Sequence, residues 1–341
     1  VTDPTLGLDD LVTTLRAAGE DTRLRILGLL AEGDLNVSDL TDILGQSQPR
    51  ISRHLKLLVE AGLVERHREG AWAFFRLAER GGRAELIRAI LARLDGRDGT
   101  LAADASRLAA VRSARAQAAQ AYFARHAQDW DRIRSLHVPE DLVEAAVREA
   151  VGERPVRALL DLGTGTGRML ALLAPRAARA IGIDASHAML AVARAGLERA
   201  GLSRVELRQG DILAPPVDRN AFDLVIIHQV LHYLDDPARA LTEAAALLAP
   251  GGRLLVVDFA PHALDFLREN HAHRRLGFGR DQMIGWLRDA GLDCLETRDL
   301  APPKAQDGAR PVDQLTVSLW LAQDRRRVTD WPLREPGREV A

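Results

Sequence analysis

Nine residues from Leu159 to Gly167, LLDLGTGTG, carry an apolar run into a loop with glycines at 163, 165 and 167. Between a strand and a helix, such glycines let a ligand approach the backbone closely. The spacing is GxGxG, whereas a dinucleotide fingerprint needs glycine where Arg168 stands. Asp161, just before the loop, would repel a pyrophosphate and favours a cationic amino-acid moiety. The next apolar run, IGID, ends on Asp184, where a carboxylate can accept both hydroxyls of a ribose. A third run leads into Gly210, Asp211 and Ile212, with Asp211 placed to accept from an adenine amino group and Ile212 to pack on the ring. Loop, ribose acid and adenine pair follow one another in the order of a nucleoside site.

A second constellation lies in QSQPRISRHLKLLVEAGLV, Gln46 to Val64. A helix from Gln48 to Ala61 buries Ile51, Leu55 and Leu58 as one stripe. Arg50 and Arg53 then point outward, with Gln48, Ser52 and Lys56 along one flank, and His54 is counted with them. Short polar and cationic groups at a helix N-terminus are what base edges and phosphates require. Arg66, His67 and Arg68 on a following hairpin could reach neighbouring phosphates, which would make affinity strongly salt-dependent. A solvated charged face on a structural helix is the plainer alternative.

Five of the ten histidines fall between His228 and His273. His228 and His232 are the candidates to take a proton from a hydroxyl nucleophile; hydrogen-bonding roles on loops and helix faces are the alternative. His271 and His273 form an HxH pair without a further ligand at sensible spacing, so no metal site is expected.

These residues need particular elements around them. Apolar spacing predicts helices over Leu8 to Ala18, Glu20 to Ala31, Val37 to Leu44 and Gln48 to Ala61, the last opening with Pro49 in its first turn and stopped by Gly62. Leu63 to His67, a turn at Arg68 to Gly70, and Trp72 to Leu77 read as a hairpin. Helices followed by a hairpin make a winged helix-turn-helix. Glu85 to Leu94 is a further helix, and an Ala/Arg/Gln-rich stretch from Leu101 to about Ile133 favours a long one. Its Tyr122, Phe123 and Trp130 are either a lid over the cofactor or, the reading we favour, an anchor to a core. From Val156 on, the runs Ala158 to Leu162, Ala180 to Asp184, Val205 to Gln209, Leu224 to His228 and Arg253 to Phe259 alternate with helical segments and predict a parallel sheet. Leu292 to Thr297 and Leu315 to Leu321 follow without a long helix between them and should pair antiparallel. The expected organisation is residues 1–95 as an α+β winged helix, 96–150 as a helical connector, 151–325 as an α/β Rossmann-like domain, and 326–341 as a loose tail.

A chain of 341 residues, 47% hydrophobic and 28% charged, can bury two cores. The net charge of -2 excludes a globally basic coat, so DNA contact needs a local patch such as that around Arg50. Cys294 is the sole cysteine, which leaves no intrachain disulfide and no CxxC pair. With no leader and no apolar run near the roughly 20 residues of a membrane helix, a soluble cytoplasmic protein is expected.

DTRLRILGLLAEG at Asp21 to Gly33, followed by QSQPRISRHLKLLVEAGLV, resembles the ArsR/SmtB family of bacterial winged-helix repressors over about Leu8 to Leu94. That resemblance implies a homodimer on a palindromic operator, with the first and last helices of the domain at the dimer interface. It also shows a departure: metal-sensing members carry a Cys-x-Cys pair in a stretch like ELCVCDL, and this chain reads DLNVSDL with Asn36 and Ser38 there. Amide and hydroxyl groups are poor ligands for soft metals. A signal must enter elsewhere.

The half from about Val156 to Gln323, including AFDLVIIHQVLHYLDDPARALTEAAALLAPGGRLLVVDF at Ala221 to Phe259, resembles class I S-adenosylmethionine-dependent methyltransferases. This implies a mostly parallel seven-stranded sheet with an antiparallel last strand, and S-adenosylmethionine or S-adenosylhomocysteine as ligand. By the resemblance Asp161, Gly163 and Gly165 border the methionine part, Asp184 the ribose, Asp211 and Ile212 the adenine, and His228 the inner end of the pocket. Thr164, Gly167, Ala185, Met189 and Gly210 fall along the same pocket. The segment Asp258 to Phe278 is expected on the acceptor side.

Two readings follow. One is a dimeric regulator that binds S-adenosylmethionine or S-adenosylhomocysteine and adjusts its affinity for operator DNA. The other is a working methyltransferase for a small-molecule acceptor, whose winged helix serves dimerisation or autoregulation. Absence of a DPPY-type motif after the fourth strand disfavours methylation of DNA-base amines. The connector is the natural route from ligand to DNA.

Overall fold

The computed structural model describes residues 5–69, 72–78, 81–130, 140–202, 204–301 and 315–326. The chain divides into two units, Val1–Ala118 and Ala119–Ala341.

The first unit opens with α1 (Leu8–Ala18) and α2 (Asp21–Ala31), followed by α3 (Val37–Leu44) and α4 (Gln48–Glu60). Ile26, Leu27, Leu40, Ile43, Ile51, Leu55 and Leu58 meet in one core, which is why the apolar stripe of α4 faces inward. Gly45 ends α3 in the left-handed region (φ 64°), and Pro49 sits in the first turn of α4, where no N–H is needed. Strands β2 (Val64–Glu69) and β3 (Trp72–Leu77) pair antiparallel from Val64 opposite Leu77 to Glu69 opposite Trp72. A two-residue strand that periodicity cannot reveal, β1 (Leu35–Asn36), adds to β3. Asn36 then caps α3: its Oδ1 accepts from the Asp39 amide at 2.9 Å, and Asp39 Oδ2 accepts from the Asn36 amide at 3.1 Å. Helix α5 (Gly82–Leu91) begins three residues before the expected Glu85, because Ala84 is drawn into the core while Leu94 falls in a turn.

Helix α6 (Gly99–His126) is the long alanine-rich element. Within the first unit, Asp104 accepts from Arg25 Nε and Nη2 at 2.6 and 2.7 Å, Arg115 pairs with Asp39, and Leu108 enters the core. Two expectations are corrected: Arg68 and Glu69, expected in the turn, pair with β3 as the end of β2, and the helix expected to about Ile133 ends at His126, followed by a 3-10 turn over Ala127–Asp129. Gly70, residues 131–133 and the tail beyond Arg326 lie outside the described residues.

The second unit alternates α7 (Glu140–Val151), β4 (Val156–Leu162), α8 (Arg168–Leu173), β5 (Ala177–Asp184), α9 (His187–Arg199), β6 (Glu206–Gln209), β7 (Phe222–His228), α10 (Pro237–Leu247), β8 (Leu248–Phe259), α11 (Phe266–Asn270), α12 (Arg280–Asp289), β9 (Leu292–Leu300) and β10 (Val317–Asp324). The strand order is β6-β5-β4-β7-β8-β10-β9. Strands β4 to β8 pair in parallel, while β10 runs antiparallel to both β8 and β9, as the two late apolar runs predict. Leu159, Leu224, Ile226, Leu255 and Val257 pack on one face of the sheet, and Leu160, Ile181, Val225, Ile227 and Val256 on the other. Burial on both faces explains why these strands read as continuous apolar runs. The strand order reverses between β4 and β7, which opens a crevice at the carboxyl ends of the strands.

Candidate ligand site and nucleic-acid face

The loop after β4 enters that crevice. The Gly163 and Thr164 amides donate to the Ile183 carbonyl at 2.8 and 2.9 Å, and Gly167 (φ 81°) caps α8. Gly163 has no room for a side chain, since a Cβ there would meet Val230 Cγ1 at 2.9 Å, and its φ is 73°. Asp161 is buried and accepts from Thr164 Oγ1 at 2.6 Å. Arg168, where a dinucleotide loop would have glycine, gives its guanidinium to Glu144 at 2.5 Å.

Asp184 ends β5 beside this loop. Its Oδ2 accepts from the Gly165 amide and its Oδ1 from the Ser186 amide, both at 2.8 Å. Burial pushes its carboxyl above the ordinary value, and the two amides oppose that shift. Gly210 donates to the Asp184 carbonyl at 3.0 Å, which brings the Gly210–Asp211–Ile212 turn to the same edge. Asp211 is exposed and Ile212 buried, and Ala185, also exposed, accepts from Gln209 at 3.1 Å. His228 ends β7 and lines a cleft with Glu140, Glu144, Arg168, Met169 and Gln229. Gln229, buried beside His228 in the same cleft, is held at φ 53°, an unusual conformation for a residue with a side chain.

The set suits a nucleoside bearing an amino acid. Asp184 offers a second lone pair on each oxygen to two hydroxyls, the glycine loop offers close backbone approach, and Asp161 offers negative charge.

Met189, expected along the pocket, is buried against Ala127 and Trp130. Tyr122, Phe123 and Tyr233 close this cluster, with ring centroids 4.8 Å apart for Phe123 and Tyr233 and 5.3 Å for Phe123 and Trp130. A Cβ on Gly165 would sit 3.8 Å from the Trp130 indole nitrogen. The aromatic residues therefore anchor the end of α6 and also flank the glycine loop. Glu140, Glu144 and Gln229 belong to no motif, and Asp258, which opens the segment expected on the acceptor side, has a partner in His232 that nothing local in the sequence announces. For the two glutamates a signal existed in the amphipathic spacing of Val143, Ala146, Val147 and Ala150 on α7.

On the first unit, Gln48, Arg50, Ser52, Arg53 and Lys56 are exposed along α4, and Arg66 and Arg68 along β2. Two histidines depart from this face. His54 turns toward Glu20 Oε2 at 3.6 Å, and burial lowers its pKa. His67 pairs with Asp34 at 3.3 Å and stacks on Phe74.

A reversed-order parallel sheet with a glycine loop, a ribose-type acid and an adenine-type turn at its switch point defines a methyltransferase-type domain, and the first unit is a winged helix-turn-helix. Residues 160–256 match the family model of the methyltransferase domain, and residues 20–66 that of bacterial regulatory protein, arsR family. A demethylmenaquinone methyltransferase of Thermus thermophilus is 42% identical over 118 residues, 34% of this chain and 53% of the relative. One of Clavibacter sepedonicus is 36% identical over 181 residues, 46% of this chain and 71% of the relative. The solved N-methyltransferase NodS of Bradyrhizobium japonicum, in complex with S-adenosyl-L-homocysteine, superposes with a TM-score of 0.45 at 23% identity, over 57% of this chain and 91% of that one. The chain belongs to the methyltransferases through its second unit and carries an arsR-family helix-turn-helix in its first. It spans about half the length of the Thermus relative.

Among the described residues, no helix is long and apolar enough to cross a membrane.

Proposed function

We propose that this protein is a dimeric DNA-binding regulator whose methyltransferase-type unit binds S-adenosylmethionine or S-adenosylhomocysteine and so adjusts affinity for an operator. The continuity of α6 carries the reading. One helix holds Asp104 and Arg115, paired with Arg25 and Asp39 in the first unit, and Tyr122 and Phe123, packed in the cluster beside the Gly165 loop in the second. A ligand that reorders the cluster acts on an element that the DNA-reading unit also uses. A coupling of about 1 to 3 kcal/mol would change operator affinity roughly five- to 150-fold.

Dimerisation is supported by α1, where Leu8 and Leu15, seven residues apart and 76% and 47% exposed, form an apolar stripe open to a second copy. Asn36 and Ser38 stand where metal-sensing members carry thiolates, and Asn36 is already engaged as a helix cap.

The test is selection of duplexes from a random pool, followed by fluorescence anisotropy with and without each ligand. Recovery of a palindrome whose affinity moves at least five-fold with S-adenosylhomocysteine or S-adenosylmethionine supports the reading. Recovery of no preferred duplex, or affinity unchanged at saturating ligand, overturns it. A second reading, transfer of the methyl group by the same unit, is favoured by a buried histidine–carboxylate pair.

A further inference from the structure

His232 and Asp258 form a buried pair at the ligand edge of the sheet. His232 lies in the 3-10 turn Leu231–Tyr233 that follows β7, and Asp258 stands next to the last residue of β8. His232 Nδ1 is 2.7 Å from Asp258 Oδ1, and the two side chains are 1% and 0% exposed. The Phe259 amide also donates to Asp258 Oδ1, at 2.8 Å, which fixes the carboxylate. A carboxylate facing Nδ1 selects the tautomer with its proton there, leaving Nε2 as the acceptor. That Nε2 is buried and has no hydrogen-bond partner in the described structure.

The pair thus satisfies one polar atom of each side chain and leaves the other, His232 Nε2 and Asp258 Oδ2, buried without a partner. A buried polar atom without a partner costs about 1 to 3 kcal/mol. A ligand that donates to Nε2 would recover that cost. Its surroundings indicate what kind of ligand. The rings of Tyr233, His273 and Phe259 lie 4.0, 4.3 and 4.9 Å from His232, centroid to centroid. Tyr233 continues through Phe123 to Trp130, which flanks Gly165. An aromatic lining thus runs from the glycine loop to the base. Flat apolar walls around a proton acceptor suit a ring that carries a hydroxyl.

We infer that His232 is the catalytic base of a methyl transfer to a phenolic oxygen, with Asp258 positioning it. The inference rests on the reading that this unit binds S-adenosylmethionine. In the step, His232 Nε2 takes the phenol proton as the oxygen forms a bond to the sulfonium methyl carbon. The carbon–sulfur bond breaks, and its electron pair stays on sulfur. The products are the aryl methyl ether, neutral S-adenosylhomocysteine and a proton on His232, which passes to solvent when the site opens. An amine acceptor attacks in its neutral form and sheds its proton afterwards, so it needs no such base. A phenol, with an ordinary pKa near 10, does.

His232 is now covered by the segment His271–Arg275, whose Arg274 and Arg275 amides donate to the His232 carbonyl at 2.8 and 3.0 Å. Ala272, at φ 58°, precedes the His273 ring that lies against His232.

The experiment uses the full chain and its His232→Gln and Asp258→Asn variants. Calorimetry measures S-adenosylhomocysteine binding, which all three should retain. Labelled S-adenosylmethionine is then offered with catechol, simple phenols and the matching anilines, and histidine nitrogen NMR follows His232 with S-adenosylhomocysteine and each phenol. Expected are methyl ethers from phenols and a protonated Nδ1 with a bare Nε2 whose signal moves on phenol binding. The kcat should fall at least about 100-fold in both variants with KM little changed. The acid limb of the kcat–pH profile should be absent in His232→Gln. Methylation of anilines but not phenols, a wild-type pH profile in His232→Gln, or no phenol either turned over or perturbing the His232 signal would overturn the assignment. Failure of S-adenosylhomocysteine to bind at all would instead bring down the cofactor reading beneath it.

Discussion

The Gly165 amide donates to Asp184 Oδ2 at 2.8 Å, so the loop after β4 and the acid that ends β5 are held as one piece. The Ser186 amide holds the other oxygen at the same distance, and Ser186 Oγ accepts from the Met189 amide at 3.3 Å to cap α9. A ligand with two vicinal hydroxyls meets a carboxylate that is already oriented, and less ordering remains to be done on binding.

That carboxylate sets a pH dependence. Burial raises the Asp184 pKa above the ordinary 3.8. A folded state with the raised value holds more protons than the unfolded chain, so stability falls as pH rises from 3.8 through the folded value, and is level above it. Ribose hydroxyls donate to the ionised form. Affinity for S-adenosylhomocysteine, measured by calorimetry, should therefore drop as pH is lowered through the same window. In Asp184→Asn it should be about 10- to 100-fold weaker and flat with pH. A wild-type affinity independent of pH down to 4 would refute the assignment.

Gly163→Ala should destabilise the second unit by about 1 to 3 kcal/mol, from a left-handed φ and a Cβ driven into Val230. Adding Val230→Ala should recover part of the loss, because it removes the clash and leaves the backbone strain. Urea unfolding of the four-member cycle reads this directly; strict additivity would show that the two side chains do not meet.

In the first unit, Asp104 is 3% exposed and accepts from both Arg25 and Arg107. Asp104→Ala should cost about 2 to 4 kcal/mol by leaving Arg25 uncompensated. The double change Arg25→Met with Asp104→Leu should restore most of it, because the desolvation cost goes with the charges. Hydrogen exchange of the α2 amides is the readout; unchanged protection in Asp104→Ala would mean that α6 does not brace α2.

Arg53→Ala should weaken binding to a selected duplex and flatten the slope of log affinity against log salt by about one unit if Arg53 meets a phosphate. If it reads a base edge, the slope should stay and one position of the selected sequence should relax, at about 1 to 3 kcal/mol. His54→Ala, whose imidazole faces Glu20, should alter neither slope nor sequence preference. Equal effects from the two variants would show that the exposed face of α4 is not the contact surface.

Much of this is legible in the sequence. The GxGxG loop, the acid at the end of IGID and the GDI turn are local in sequence, and each lies at the end of a strand whose apolar run announces it. The exposed cations of α4 follow from the burial of Ile51, Leu55 and Leu58 at helical spacing. His54 and His67 escaped that logic because their partners, Glu20 and Asp34, lie on other elements, and a ring at a flank position turns to whichever neighbour is there. The cap formed by Asn36 shows a similar limit: the sequence revealed a missing thiolate, and the structure revealed what the amide does in its place.

What the sequence by itself determined is the pair of domains, the strand order's local signals and the residues at the strand ends, because periodicity and turn chemistry act within about ten residues. Only the tertiary structure decided that Asp258 faces His232 across 26 residues, that Trp130 flanks Gly165, and that Asp104 pairs with Arg25. These contacts depend on which strands become neighbours and on how a helix end packs. That is a matter of long-range burial, in which each partner's position is set by a core it shares with residues far away in the chain.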